Sequence, residues 1–251
     1  MLFLSDLDNT LIFSYKKLSE KDLCVEKKDG KNLSYMTYRS AELFSDIVRR
    51  VTFIPVTTRS AEQYGRISFP EGYIPKYAVI DNGANLLING EPDKQWRSEV
   101  IPAINESLPE IRECEKYLQK CGEVYFDIRF VDDSFLFTKC HDSERVMHEL
   151  FSEISPAKTR LFTNGDKLYA IPDGISKKNA LERLKRRLSC ELIIAAGDSL
   201  FDEDMLSAAD LAIVKYGELC GKRINPRQLS EERESDPDFV LSCLADILNN
   251  N

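Results

Sequence analysis

The chain begins with the stretch Met1-Leu2-Phe3-Leu4-Ser5-Asp6-Leu7-Asp8-Asn9-Thr10. Its first five residues form a short apolar run, which predicts a buried β-strand, and two carboxylates follow directly. Open α/β sheets bind their ligands at the carboxyl ends of their strands. In extended backbone, side chains two residues apart point the same way, so Asp6 and Asp8 can face one crevice. The stretch predicts an α/β sheet with an acidic site at its edge, although a solvated Asx-turn would also suit these residues.

A second apolar run, residues 192–196, also ends in carboxylates. Asp198 stands at the tip of this predicted strand, and Asp202 follows in a loop or at a helix start. Acids at a helix start can also be ordinary caps, which suffices to explain Glu203 and Asp204. A second acidic strand tip supplies the hard oxygen ligands that Mg²⁺ prefers, and the chain has only two histidines for a nitrogen-rich site. Asp198 and Asp202 are therefore predicted to complete a magnesium site with the first acidic tip.

Two further segments offer groups that bind phosphate. Residues 53–60 end a predicted strand with Thr57 and Thr58 and then start a helix, whose backbone N–H groups suit an anion. Residues 175–180 start another helix and carry two lysines, which is unfavourable for the helix dipole. We favour Lys177 as the functional lysine and expect Lys178 to be solvated.

The order of predicted elements indicates an α/β core split by an α+β insert. Strands and helices alternate up to residue 90 and again from residue 172, which predicts a parallel sheet covered by helices. Between them, residues 91–171 predict the order αββαββ, an antiparallel module. Its predicted elements are a helix over Trp96–Lys120 that could break at Pro109, strands over 123–131 and 134–140, a helix over 142–154, and strands over 158–162 and 167–171. Residues 15–37 predict a hairpin with a turn at 28–31, either a flap over the site or an oligomer contact.

The composition excludes several classes of protein. The 251 residues carry a net charge of −8, which argues against a nucleic-acid partner. The start of the chain lacks a basic region followed by an apolar stretch, so no secretory signal is expected, and no apolar run has the length of a membrane span. Seven scattered cysteines suit reduced thiols in a cytoplasmic protein. A monomer and a homodimer remain equally compatible with the sequence.

The four segments, in this order, resemble the motifs of the haloacid dehalogenase superfamily, and the resemblance covers most of the chain. Asn82-Gly83-Ala84 after a strand, the αββαββ insert, and Gly174-Ile175-Ser176-Lys177 resemble its subclass IIB, which has an α/β cap. That subclass includes sucrose-phosphate phosphatases, mannosylglycerate-phosphate phosphatases, broad Cof-like sugar phosphatases and phosphomannomutases. The resemblance implies a Rossmann-like catalytic core, residues 1–90 and 172–251, and a substrate-specificity cap, residues 91–171.

The resemblance also implies roles for individual residues. Asp6 matches the nucleophile that becomes an aspartyl-phosphate, and Asp8 matches the acid that protonates the leaving oxygen and later activates water. Lys177 matches the ammonium that balances charge. The implied Mg²⁺ ligands are side chains of Asp6 and Asp198 and the backbone carbonyl of Asp8, with Asp202 supporting them. Thr57 and Thr58 are the expected phosphate-binding residues, and Arg59, Asn82 and Arg129 are the expected substrate contacts.

Two positions depart from the family pattern. Phe201 stands where the fourth motif usually has Asn, and its ring cannot replace the hydrogen bonds of that amide. Thr58 stands where the second motif usually has Gly, which adds bulk and a further donor beside the phosphate loop. Neither departure removes an essential carboxylate.

The main hypothesis is a Mg²⁺-dependent phosphatase that hydrolyses a small phosphorylated metabolite, sugar-like by family analogy. A phosphomutase is the first alternative, and it would need a second phosphate site among the cap arginines Arg129, Arg145 and Arg160. A non-catalytic binding protein is the second alternative, although such a protein would be expected to lose one of the four central residues Asp6, Asp8, Lys177 or Asp198.

Overall fold

The computed structural model describes residues 1–18, 20–232 and 236–250. It divides into two compact units. The core unit comprises Met1–Asp93 and Ser176–Asn251, and the inserted unit comprises Lys94–Ile175. The sequence-based boundaries, after residues 90 and 171, lie three and four residues before those of the structure.

The bounds of the elements follow in chain order. The first part of the core unit contains β1 (Leu2–Ser5), β2 (Phe13–Ser14), β3 (Leu23–Lys28), β4 (Lys31–Met36), α1 (Tyr38–Ile47), β5 (Thr52–Pro55), α2 (Ala61–Tyr64), β6 (Tyr77–Ile80), β7 (Asn85–Ile88) and β8 (Glu91–Pro92). The inserted unit contains α3 (Lys94–Leu118), β9 (Arg129–Val131), β10 (Phe135–Lys139), α4 (Ser143–Ile154), β11 (Thr159–Asn164) and β12 (Lys167–Pro172). The second part of the core unit contains α5 (Lys177–Leu188), β13 (Ile193–Gly197), α6 (Leu200–Ala208), β14 (Leu211–Val214), β15 (Gln228–Ser230) and α7 (Phe239–Asn249).

The central sheet of the core unit is parallel, with strand order β15-β14-β13-β1-β5. The predicted parallel α/β core is therefore confirmed. Strand β1 lies between β13 and β5, and the register pairs Ser5 with Ala196 on one side and with Pro55 on the other. The residues that follow these three strands consequently emerge side by side at the carboxyl edge.

An aromatic cluster fixes the central strands against α1. The ring of Phe44 on α1 meets Phe53 edge-on at 5.1 Å and stacks on Phe69 at 5.5 Å, and Phe53 lies 5.7 Å from Phe3. All four rings are buried, and burial of such a side chain contributes about 1.5–3 kcal/mol. Residues that are distant in sequence thus pack together and hold the central strands in place.

Two smaller antiparallel sheets complete the core unit. Strands β2, β4 and β3 form one, and the turn between β3 and β4 has Asp29 and Gly30 at positive φ, as the predicted hairpin turn requires. Strands β6, β7 and β8 form the other, which the sequence analysis did not predict beyond β6. A 3₁₀ turn, Asp81–Gly83, joins β6 to β7.

The inserted unit is a four-stranded antiparallel sheet, ordered β11-β12-β10-β9, with α3 and α4 packed on one face. The predicted order αββαββ is confirmed. The structure settles one open point of the prediction and corrects one detail. Helix α3 continues through Pro102 and Pro109, because both prolines are exposed while its opposite face is buried. The strand predicted over 123–131 is regular only in β9, because its earlier residues pair irregularly with residues 139–141.

Among the described residues, no helix has the length and apolar character needed to cross a membrane.

Candidate active site

Asp6 and Asp198 meet at the carboxyl edge of the central sheet. Each follows a strand, β1 and β13 respectively, and these strands are neighbours. The backbone N–H of Asp6 donates to the carbonyl of Ala196 at 2.9 Å, which continues the ladder by one residue. Asp6, Asp198 and Asp202 each offer a carboxylate oxygen, and these oxygens all lie within 4.8 Å of one another. The parallel register thus assembles the acidic group.

Lys177 lies among these carboxylates. Its Nζ donates to Asp6 Oδ1 at 2.5 Å and to Asp202 Oδ1 at 2.6 Å, and the residue is 1% exposed. It is the first residue of α5, which Ser176 caps, whereas Lys178 is exposed. A Cβ at Gly83 would lie 2.6 Å from the carbonyl oxygen of Ser176, and Gly83 has φ +105°. Only glycine therefore allows the β6–β7 turn to approach the start of α5 this closely.

Asp202 anchors the loop after β13. Its Oδ2 accepts hydrogen bonds from the backbone N–H groups of Asp198 and Ser199 at 3.2 and 3.0 Å and from Ser199 Oγ at 2.8 Å. A Cβ at Gly197 would lie 2.4 Å from the Cβ of Asp202, so glycine makes room for this buried side chain. Ser199 and Asp202 therefore hold the loop, although Phe201 lacks the side-chain amide of the Asn that the family motif usually has at this position.

The electrostatics show an excess of buried negative charge. Burial is the largest cause that raises the pKa of Asp6 to about 7; Asp202 and Asp8 contribute to this rise and Lys177 opposes it. Burial, with the repulsion of Asp6 and Asp202, raises the pKa of Asp198 to about 8. Burial lowers the pKa of Lys177, but Asp202 and Asp6 outweigh that effect, so its pKa lies above the ordinary value. One ammonium group does not neutralise three carboxylates.

The donor set fits a hard divalent cation. Carboxylate oxygens close together and short of positive charge are the ligands of Mg²⁺ or Ca²⁺ rather than of zinc. A cation beside Asp6 and Asp198 would offset the repulsion among the carboxylates and favour their ionised forms despite burial.

Thr10 is a member of the site that the sequence analysis quoted but did not select. Its hydroxyl lies 3.4 Å from Asp6 Oδ2 and 3.4 Å from Asp198 Oδ1, and the residue is fully buried. The signal was present, because threonine closes the pattern Asp-x-Asp-x-Thr at residues 6–10.

Asp8 lies beside this group and forms a bidentate pair with Arg59. The guanidinium donates from Nε and Nη2 to the two carboxylate oxygens of Asp8, both at 2.7 Å. The side chain of Asp8 is 48% exposed and that of Arg59 is 11% exposed. Arg59, predicted as a substrate contact, is therefore engaged with Asp8 in this structure.

Thr57 follows β5 and is fully buried, and its hydroxyl accepts a hydrogen bond from the backbone N–H of Arg59 at 3.2 Å. That contact uses the oxygen as acceptor and leaves the hydroxyl proton for a further partner. Thr58 is partly exposed. Asn82 is 2% exposed, its N–H donates to Thr57 O at 3.0 Å, and its side-chain oxygen finds no hydrogen-bond partner within the described ranges.

Arg129, the third predicted substrate contact, belongs to the inserted unit. Its guanidinium lies 3.5 Å from Asp127 and over the ring of Phe126 at 4.6 Å. Its role in substrate binding remains a prediction.

A parallel core with an inserted αββαββ unit, and with Asp-x-Asp, threonine, lysine and aspartate motifs at one sheet edge, is the arrangement of haloacid dehalogenase hydrolases of subclass IIB, and a family model together with solved structures places the chain in that class. The model of the sucrose-6F-phosphate phosphohydrolase family matches residues 1–219. The chain belongs to this family of phosphoric monoester hydrolases.

Solved structures share the fold along nearly the whole chain. The sucrose-phosphatase of Synechocystis sp. PCC6803, solved with sucrose and phosphate, is 14% identical with a TM-score of 0.67, over 98% of this chain and 97% of that one. A subclass IIB sugar phosphatase of the superfamily is 12% identical with a TM-score of 0.64, over 98% of each chain. The trehalose-6-phosphate phosphatase of Aspergillus fumigatus is 14% identical with a TM-score of 0.52, over 100% of this chain and 92% of that one. A search of curated protein sequences gave no significant match.

Proposed function

We propose that the protein is a Mg²⁺-dependent phosphatase that hydrolyses a phosphorylated sugar through an aspartyl-phosphate on Asp6. The observation that carries this proposal is the buried group in which Lys177 pairs with Asp6 and Asp202 beside Asp198. A structural role alone would not require three carboxylates at one strand edge with a single ammonium, because burying unpaired charge destabilises a fold.

In the proposed first step, a carboxylate oxygen of Asp6 attacks phosphorus. The oxygen–phosphorus bond to Asp6 forms, the bond from phosphorus to the sugar oxygen breaks, and Asp8 gives its proton to that oxygen. Lys177 and the hydroxyl of Thr57 hold the phosphoryl oxygens as negative charge shifts onto the leaving group.

The cation would be held by the side chains of Asp6 and Asp198 and the backbone carbonyl of Asp8. Direct ligation by Asp202 remains a prediction beside its role as an anchor of Lys177 and the loop. When bound, Mg²⁺ supplies the positive charge that lets an anionic carboxylate approach a phosphate.

In the proposed second step, water attacks phosphorus and Asp8 accepts the proton of that water. The bond between phosphorus and the oxygen of Asp6 breaks, which releases inorganic phosphate and restores the carboxylate. Asp8 thus returns to its protonated state, and the cycle is balanced.

A sugar as leaving group is supported by the family and by one face of the inserted sheet. The face opposite α3 and α4 carries the rings of Phe137 and Tyr169, 5.1 Å apart, and Phe126 lies 5.9 Å from Phe137. Aromatic rings bordered by polar groups such as Arg129 suit the apolar face and the hydroxyls of a sugar. We propose that this face contributes to the choice of sugar.

Hydrolysis is favoured over return of the phosphoryl group to the sugar because the three cap arginines Arg129, Arg145 and Arg160 have separate partners. Arg145 pairs with Glu123 and Glu149, and Arg160 donates to the carbonyl of Ile175. A mutase would need such side chains to converge on a second phosphate.

The test is phosphate release from sucrose-6F-phosphate, trehalose-6-phosphate, glucose-6-phosphate and 4-nitrophenyl phosphate, each with Mg²⁺ or with EDTA. Asp6→Asn should lower the rate at least about a thousandfold, because the amide cannot form the acyl phosphate. The control Asp46→Asn changes a carboxylate that is 77% exposed and should retain the wild-type rate. Absence of Mg²⁺-dependent release from every compound, or equal rates for Asp6→Asn and wild type, would refute the proposal.

A further inference from the structure

The strand β3 places a buried carboxylate, Glu26, next to the Asp8–Arg59 pair. Glu26 is 3% exposed, whereas the two lysines that follow it and end the strand Leu23–Lys28 are exposed. The pairing of β3 with β4 shifts register on both sides of Glu26. Such bulges turn a side chain away from the regular alternation, and here Val25 and Glu26 are both buried.

Three donors fix the carboxylate of Glu26. Ser34 Oγ and Arg59 Nη2 donate to Oε2 at 2.7 and 3.0 Å, and Arg66 Nε donates to Oε1 at 3.1 Å. Burial raises the pKa of Glu26, but the hydrogen bonds from Arg59 and Ser34 outweigh that effect, so its pKa is lowered. The hairpin is also attached at this point, because the N–H of Ser68 donates to the carbonyl of Val25 at 2.8 Å.

The guanidinium of Arg59 is therefore shared between two carboxylates. Its Nη2 reaches Asp8 Oδ1 at 2.7 Å and Glu26 Oε2 at 3.0 Å, while its Nε reaches the second oxygen of Asp8. Because the guanidinium is planar, a hydrogen bond to Glu26 also fixes the direction in which its N–H groups point toward Asp8. Asp8 is 48% exposed and would otherwise have rotational freedom.

We propose that Glu26 is a positioning residue, which acts through Arg59 to fix the orientation of the Asp8 side chain. When Asp8 carries its proton, one of its oxygens still accepts from Arg59 and the other holds the proton for the leaving oxygen. The inference rests on the proposed function, because it concerns the proton donor of that reaction. It also gives the segment 15–37 a role, which is to carry this carboxylate into the site.

The test uses the dependence of the rate on the leaving group. A sugar oxygen needs a proton to leave, whereas 4-nitrophenolate leaves without one. Single-turnover rates, with enzyme in excess and Mg²⁺ present, report only the release of the leaving group. Glu26→Gln should slow release from sucrose-6F-phosphate, or from the sugar phosphate that wild type hydrolyses fastest, by about tenfold or more. Release from 4-nitrophenyl phosphate should change by less than about threefold.

Two comparisons separate positioning from a structural effect. Glu62→Gln removes an exposed carboxylate that pairs with Arg66 rather than with Arg59, and it should leave both rates unchanged. Arg59→Lys should show the same selective loss, and the losses of Glu26→Gln and Arg59→Lys should not add, because one acts through the other. If Glu26→Gln does not fold, Ser34→Ala, which removes one donor to Glu26, should show a smaller loss in the same direction.

Equal loss on both substrates, additive losses, or an unchanged ratio in every folded variant would overturn the assignment. A wild-type protein without Mg²⁺-dependent phosphatase activity would instead refute the proposed function. The two failures are thus distinguishable.

Discussion

At the scale of single residues, Lys177 supplies the positive charge that offsets the buried carboxylates of the site. It is the ammonium at hydrogen-bond distance from both Asp6 and Asp202, and all three groups are buried. Breaking a buried ion pair by removing one partner costs about 3–5 kcal/mol, because the other charge remains without compensation. The residue is therefore expected to serve both the fold and the reaction.

Lys177→Met should abolish phosphate release and lower the free energy of unfolding in the absence of Mg²⁺. The matched control is Lys178→Met, which changes the exposed neighbour on the same helix turn. Urea unfolding and a phosphate-release assay measure the two effects. Equal behaviour of the two variants would show that the buried ammonium has no special role.

The sequence predicted the groups that lie on strand tips and missed those that depend on tertiary contacts. Asp6, Asp198 and Lys177 could be selected because strand and helix ends were readable from apolar runs. Glu26 could not, since its burial depends on a register shift that no local pattern of polarity predicts. Arg59 was predicted from the family resemblance to contact substrate. Its pairing with Asp8 was missed, because Asp8 is distant in sequence and no motif indicates the contact.

At the scale of elements, a second buried ion pair joins the sheet edge to the last helix. Lys215, directly after β14, donates from Nζ to Glu231 Oε2 at 2.6 Å and to the carbonyl of Asp236 at 2.5 Å. Lys215 is fully buried and Glu231 is 6% exposed. Burial lowers the pKa of Lys215 although Glu231 opposes the shift. The pair thereby connects β14, β15 and the segment that leads into α7.

Glu231→Gln should lower the free energy of unfolding by about 3 kcal/mol at neutral pH, because Lys215 keeps its charge in an apolar setting. The loss should shrink at high pH, where Lys215 can release its proton. Urea unfolding followed by circular dichroism measures both values. Asp46→Asn, which breaks the exposed pair with Arg49, should cost much less, and an equally small cost for Glu231→Gln would contradict the assignment.

Elements with a clear period were predicted well, and short pairings were not. The helix predicted over 142–154 and the strand predicted over 167–171 agree with α4 and β12 to within one residue at each end, because each has a clear pattern of apolar residues. Strands β8 and β15 were missed, since they are two and three residues long and mostly polar. The continuity of α3 was uncertain from sequence, because proline at position 109 disfavours a helix whereas the apolar face of the segment favours one. The packing of that buried face outweighs the low helix propensity of Pro109, and the helix is continuous.

At the scale of the whole molecule, the acidic group should make stability depend on pH and on Mg²⁺. The pKa values of Asp6 and Asp198 rise from the ordinary 3.8 to about 7 and about 8 in the folded protein. Between about pH 4 and pH 8 the folded state therefore binds more protons than the unfolded chain. Stability from these two groups is present at the lower end of that window and is lost as pH rises through it.

Mg²⁺ should stabilise the protein more at pH 8 than at pH 5.5, because it competes with the protons on Asp6 and Asp198. At about one hundred times its Kd the cation should add about 2.7 kcal/mol. Thermal unfolding with Mg²⁺ or EDTA at both pH values measures the difference, and Asp198→Asn should largely remove it. A shift that is equal at the two pH values, or equal in Asp198→Asn, would show that the cation binds elsewhere.

The position of β1 in the middle of the central sheet has a consequence for biosynthesis. Its partner β13 is made about 190 residues later, after the complete inserted unit has been translated. The first strand of the chain must therefore wait, with its apolar side chains Leu2, Phe3 and Leu4 lacking one neighbour, until most of the polypeptide has been translated. Nascent chains stalled before residue 193 should hold an incomplete central sheet, which makes this interval the time when chaperone protection matters most.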